Sequence, residues 1–188
     1  AGLAGRTDGL LCLSGGLRGL AAPWLARGDV TAGMVVFEQL LAFFPDRLYL
    51  ELQASAATPG EAEQRWCTNL LRLAKRLGRP LAASVDIHYL RPEQAGLQRL
   101  VSAIRLNLPL NELPDQACAL PGSYFIDQEA LLAALSRLPV DAPQRALNGT
   151  LEVAERCQLE LPVGIHHYPH ADLPGEPDSD LALRQRAE

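Results

Sequence analysis

Residues Leu77 to Ala95 read LGRPLAASVDIHYLRPEQA, and this stretch decides the fold. Leu81 to Val85 is an apolar run of strand length, with Asp86, Ile87 and His88 at its far end. On its N-terminal side, Pro59 opens a helix that carries Trp66, Leu70, Leu73 and Leu77 at three- and four-residue spacing and stops at Gly78. On its C-terminal side, Pro92 opens a helix reaching about Arg105, with Leu97, Leu100, Val101 and Ile104 on one face. Farther back, Arg47 to Gln53 (RLYLELQ) alternates Leu48, Leu50 and Leu52 against Tyr49 and Glu51, a strand pattern. Two helices are predicted before it, Arg18 to Arg27 and Asp29 to Phe44, the second with Asp29 as N-cap and Pro45 as stop. Leu10 to Leu13 is a further apolar run closed by Ser14-Gly15-Gly16, which reads as a buried strand entering a tight turn. Strands that alternate with helices of this length predict an α/β fold, because parallel neighbours need a long crossover between them.

Beyond Leu106 the character changes. Asn107 to Gly122 holds three prolines and no clear period, which predicts a long ordered loop. Helices follow at Asp127 to Leu138 and Ala142 to Cys157, and the Pro-, Gly- and acid-rich stretch Pro162 to Asp180 reads as a linker. The expected division is therefore residues 1–161 as a folded unit with a helical C-terminal segment, and 162–188 as linker.

Composition narrows the function classes. The chain is 48% hydrophobic and 21% charged, with only 5% aromatics, so the core is expected to be aliphatic. A net charge of -5 argues against a surface that grips nucleic acid by neutralising phosphates. No apolar run approaches the roughly 20 residues that span a bilayer, and no membrane partner is expected. Residues Ala1 to Gly9 lack the basic and apolar regions of a secretion signal. Cys12, Cys67, Cys118 and Cys157 are scattered without a C-x-x-C pair, a pattern that suits a reducing cytoplasm rather than a disulfide framework. Met34 is the single methionine and lies inside a helical pattern, so the chain is expected to begin within a longer gene product.

In a parallel β/α arrangement the functional groups gather where strands end. Those positions here are Ser14-Gly15-Gly16, then Glu51 and Gln53, then Asp86 and His88. Residues two apart in an extended segment point the same way, so the Asp86 carboxylate and the His88 imidazole can face one metal ion. A hydrogen-bonded Asp–His pair that ties down a loop explains the same spacing equally well. His166, His167 and His170 beside Asp172 also offer metal-ligand chemistry, but Pro162, Pro169 and Pro174 exclude a helical array, and a surface loop is expected. Trp24 and Trp66 lie on apolar helix faces and are expected in the core. Arg72, Lys75, Arg76 and Arg79 cluster near a helix C-terminus, where compensation of the helix dipole accounts for them.

Four separated segments carry a family resemblance: GLLCLSGGLRG (Gly9 to Gly19), PDRLYLELQ (Pro45 to Gln53), LGRPLAASVDIHYLRPEQA (Leu77 to Ala95) and NGTLEVAERCQLELPVG (Asn148 to Gly164). Together they resemble, in order, the later part of the PHP (metallophosphoesterase-like) domain of bacterial DNA polymerase III α subunits, in the replicative or the error-prone branch. The resemblance implies a partial distorted β/α barrel leading toward a polymerase palm beyond Glu188, and a parent that is a DNA-directed DNA polymerase using Mg²⁺. It implies that Asp86 and His88 fall on the last ligand pair of a metal cluster that takes Zn²⁺ or Mn²⁺ in an intact barrel. The implied partners are the rest of the polymerase chain, a proofreading or clamp-associated subunit, and DNA held by the parent rather than by this segment.

The sequence also departs from the metal-active pattern. Gly16 stands where such members often carry Cys, Gln53-Ala54-Ser55 stands where they often read Gln-Arg-His, and no H-x-H occurs. The isolated segment is thus expected to be structural and inactive. The rival readings are a free-standing PHP phosphoesterase or exonuclease, and a non-catalytic interaction module.

Overall fold

A computed structural model describes residues 3–54, 60–119, 122–161, 163–165, 180, 183–184 and 187. Its sheet has three parallel strands, β1 (Cys12–Leu13), β2 (Leu48–Ala54) and β3 (Leu81–Val85), in that spatial order. Between β1 and β2 lie α1 (Ala22–Arg27) and α2 (Val30–Phe43), and between β2 and β3 lies α3 (Glu61–Leu77). After β3 come α4 (Ala95–Leu106), α5 (Gln128–Leu135) and α6 (Ala142–Arg156). The fold is mixed α/β with the parallel order that the crossover helices require.

Local chemistry sets most of the element ends. The Asp29 carboxylate accepts from the Ala32 N–H at 3.0 Å and starts α2, and Asp127 does the same for α5 through the Ala130 N–H at 2.8 Å. Gly78, at φ 59°, ends α3 in the left-handed conformation that glycine adopts without a Cβ clash. The helix expected from Arg18 begins only at Ala22, because the Gly15-Gly16 turn first runs into a 3-10 turn over Gly16–Arg18.

The core gathers on one face of β2. Leu48, Leu50 and Leu52 are buried there with Leu25, Phe37, Trp66, Leu70 and Leu73 from the first three helices. Buried Asn69 of α3 donates its side-chain N–H to the Leu25 carbonyl at 2.9 Å, which satisfies its amide and ties α3 to α1. Tyr49, on the opposite face of β2, is buried as well. Its hydroxyl donates to Glu152 at 2.6 Å and accepts from Arg156 at 2.7 Å, both on α6. A strand in the middle of a parallel sheet is covered on both faces, so alternation understates its burial.

Helix α6 closes the outer edge of β3. The Leu50 N–H donates inward to the Pro80 carbonyl, so by the two-residue period of a strand the Leu81 and Ala83 carbonyls face away from β2. The Thr150 hydroxyl donates to Ala83 O at 2.7 Å, and Gly149 lies flush against Leu81 O. That edge is therefore occupied rather than open to another strand.

Two expectations fail here. The Leu10 to Leu13 run is not a buried strand: only Cys12–Leu13 pairs, at the far edge of the sheet, and Leu13 is 42% exposed. Trp24 is 39% exposed, with the Arg27 guanidinium over its ring, because α1 turns that side away from the core. The apolar face of α4 is also exposed, Leu97 at 58% and Ile104 at 70%. Periodicity reveals an apolar face but not what covers it.

The chain forms two compact units, Ala1–Cys157 and Gln158–Glu188, and every strand and helix named above belongs to the first. Most of the stretch read as a linker, including His166, His167, His170 and Asp172, lies outside the described residues. No helix among the described residues is long and apolar enough to cross a membrane.

A Cβ added at Gly149 would lie 1.8 Å from Leu81 O, which is backbone and cannot move aside, whereas one at Gly96 meets open space. Gly149→Ala is expected to cost about 3 kcal/mol, the upper end for overpacking, while Gly96→Ala is neutral or stabilising by up to ~1 kcal/mol from helix propensity. Urea unfolding of the two variants checks both signs.

Candidate functional site

The ends of the three strands bring together polar groups from Ser14 to His88. Glu51, on the face of β2 opposite the core leucines, is their centre. One of its carboxylate oxygens accepts from the Gly15 N–H at 3.0 Å, and the other accepts from the Ser84 hydroxyl at 2.5 Å. Its own backbone N–H donates to the Ser14 hydroxyl oxygen at 2.9 Å. Two residues on, the Gln53 side-chain oxygen accepts from the Leu17 N–H at 2.9 Å. These bonds stitch the turn after β1 onto β2 and β3, and the ones to the carboxylate are charge-assisted.

The loop after β3 carries the predicted pair. His88 Nε2 lies 3.1 Å from Asp86 Oδ1, so the two are hydrogen-bonded to each other. Asp86 Oδ2 is buried without a hydrogen bond and faces Arg18 Nε at 3.7 Å. The His88 backbone N–H donates to Ser123 O at 2.9 Å, and Tyr89 pairs with Tyr124 in an isolated parallel bridge. The void beside Asp86, lined in part by Gln53 and Gly122, measures about 10 Å³, room for one water at most.

Among the described residues the donor set does not fit a catalytic metal. Such sites usually use three or more protein ligands. Among the described residues no group of three His, Cys, Asp or Glu stands close enough to hold an ion. Glu51 is committed to Gly15 and Ser84, and the Asp86 carboxylate faces a guanidinium on one oxygen and an imidazole on the other. A Cβ at Gly16 would meet the Gln53 side-chain oxygen at 2.8 Å, so the Gln53 side chain occupies the space a larger residue at Gly16 needs.

The sequence placed Ser14, Glu51, Gln53, Asp86 and His88 at strand ends, and the structure brings them to one end of the sheet. It did not single out Ser84 or Arg18. The two-residue period of β3 carried a signal for the first, since Ser84 and Asp86 share a face. Arg18 sits two residues past the Gly15-Gly16 turn and reaches Asp86 only through tertiary contact.

A second concavity, about 250 Å³, opens between α3 and α5 and includes Glu63, Cys67 and Arg137. Burial, with the Glu63 carboxylate adding to it, pushes the Cys67 thiol up to about 12, so it is a packing group rather than a thiolate nucleophile. Burial also raises the Glu63 carboxyl, opposed by the Arg137 charge.

These features define a class, a parallel β/α segment whose strand-end polar groups are engaged with one another. Comparison with known proteins narrows it. The chain is 28% identical over 166 residues to DNA polymerase III subunit alpha of Neisseria meningitidis serogroup B, and 30% identical over 174 residues to that of Haemophilus influenzae. It is 33% identical over 175 residues to an error-prone DNA polymerase of Pseudomonas aeruginosa. These alignments take in 88%, 90% and 92% of this chain but only 14%, 14% and 15% of the relatives. No protein-family model matches the chain. Over most of its length, then, the chain is similar to one segment of DNA polymerase III α subunits and error-prone DNA polymerases, as its four motifs implied.

Two outcomes are expected at these sites. After dialysis against Zn²⁺ or Mn²⁺, elemental analysis should find no stoichiometric metal on the 188-residue chain; one tightly held ion per chain, lost in Asp86→Ala, contradicts the donor-set argument. Because the folded carboxyl of Glu63 is raised, its ionisation opposes folding. Its favourable contribution is fully present below the ordinary carboxylate pKa and is lost as pH rises through the folded value. Glu63→Gln should therefore raise Tm at pH 7, with the gain shrinking toward pH 4, in paired thermal melts.

Proposed function

We propose that this chain is a structural segment of a DNA-directed DNA polymerase of the polymerase III α or error-prone type, corresponding to the later part of a distorted, PHP-type β/α barrel. The observation that carries this reading is the alignment over about nine-tenths of the chain to one short segment of polymerases of both branches. The parallel sheet with crossover helices is compatible with part of a β/α barrel, and the bare apolar face of α4 suits a segment covered by more of its parent chain. In that parent, template copying with deoxynucleoside triphosphates and Mg²⁺ takes place in a palm outside this segment. The segment itself supports the polymerase, with a proofreading or clamp-associated subunit as the natural further contact.

Within the whole barrel, additional ligands from its other strands would complete a Zn²⁺ or Mn²⁺ site with Asp86 and His88. That is the specific reason to retain a PHP phosphoesterase or exonuclease as the second reading. Against it stands Arg18, whose positive charge already faces the buried oxygen of Asp86.

The decisive experiment uses the uncut reading frame. It should continue on both sides of this segment, and its product should extend a primed template with Mg²⁺ and all four deoxynucleotides, while the 188-residue chain does not. Hydrolysis of p-nitrophenyl phosphate by the full product with Mn²⁺, abolished by His88→Ala, supports the phosphoesterase reading. A reading frame confined to these residues defeats the polymerase reading. The exposed α4 face also predicts self-association of the isolated chain in size-exclusion chromatography, relieved by Leu97→Glu with Ile104→Glu; a monodisperse monomer contradicts it.

A further inference from the structure

A groove of about 510 Å³ runs between the C-terminal half of α3 and the start of α6, well away from the strand ends. Four of the chain's 17 Lys and Arg residues line it: Arg72 and Lys75 from α3, Arg137 from the turn after α5, and Arg145 from α6. The single acid in its lining, Asp141, is paired with Arg145 at 3.2 Å. The Arg72 guanidinium reaches the neutral Asn69 side chain, while the Arg137 charge also acts on Glu63 in the neighbouring concavity. The groove carries leucine and proline between these cations, Leu71, Leu138 and Pro139 among them, and no aromatic side chain. In a chain of net charge -5, this is positive charge concentrated around one apolar depression.

We infer that this groove is a docking site for an acidic peptide segment of a partner protein, one that sets apolar side chains against the floor and carboxylates against the rim. Helix-dipole compensation explains basic residues in the last turn of α3, but not Arg137 and Arg145, which come from other elements and converge on the same depression. Single-stranded nucleic acid binds by stacking bases on aromatic side chains, which this groove lacks. A duplex presents a phosphate about every 1.7 Å along its axis and calls for an extended basic face rather than one pocket. Complementary charge around an apolar centre is the pattern of a peptide interface, where the rim steers association and the buried centre holds it.

The test titrates the 188-residue chain with a fluorescent random copolymer of Glu and Leu and follows anisotropy. In parallel it uses a Lys and Leu copolymer and a fluorescent oligothymidylate. Binding of the acidic copolymer is expected, with affinity falling as salt rises. The double variant Arg72→Glu with Lys75→Glu should bind at least roughly tenfold more weakly. Arg27→Glu with Arg105→Glu, which changes the net charge equally at sites outside the groove, should bind as the parent chain does. Far-ultraviolet circular dichroism and melting temperature establish that both variants are folded; if the α3 pair fails to fold, Arg137→Glu takes its place. The inference is overturned if the acidic copolymer does not bind, if both variants weaken alike, or if the oligothymidylate alone binds.

Discussion

The hydrogen bonds of β2 are the constraint on which the rest of the structure depends. A buried middle strand must have its N–H and C=O groups satisfied on both sides, and here β1 serves one side and β3 the other. Neither neighbour is a robust strand: β1 has two residues and β3 has five, two of them alanines in its buried stretch. Glu51 compensates at the strand ends by reaching the turn after β1 and the Ser84 hydroxyl of β3 at once. On the outer side of β3, α6 does the same for carbonyls that no strand pairs, through Thr150 and the bare backbone at Gly149.

The same economy shapes the polar groups that looked chemical. A carboxylate that receives a backbone N–H and a hydroxyl is held firmly, but little of its coordination capacity remains for an ion. Asp86 meets Arg18 and His88 in the same way. Among the described residues, the strand-end groups therefore act first as braces for loops. The groove between α3 and α6 is the contrasting case. Its four cations come from three elements and its lining holds a single acid, an excess of positive charge that an external ligand can use.

Much of this was legible along the chain because the responsible interactions are local. Asp29 and Asp127 cap helices through N–H groups three residues away, and Gly78 ends a helix by a conformation of its own backbone. The heptad-like spacing of Trp66, Leu70 and Leu73 put the right face of α3 in the core. The Asp86 and His88 pair was readable for the same reason, being two residues apart in the loop after β3. The run at Leu10 to Leu13 and Trp24 misled, since apolarity signals a preference for burial but does not supply the surface that buries it.

Sequence alone thus determined the alternation of strands and helices, hence a parallel sheet, along with the capped helix ends at Asp29, Gly78 and Asp127 and the polymerase resemblance of the four motifs. These rest on interactions within one helical turn or on the period of a single strand. Only tertiary structure decided that Glu51 belongs to Gly15 and Ser84, 36 and 33 residues away, and that Arg18 faces Asp86. It also decided that α6 seals an edge of the sheet and that Arg72, Lys75, Arg137 and Arg145 surround one groove. Each of those depends on where whole elements come to rest, which is set by the joint packing of the core rather than by any residue's neighbours in the chain.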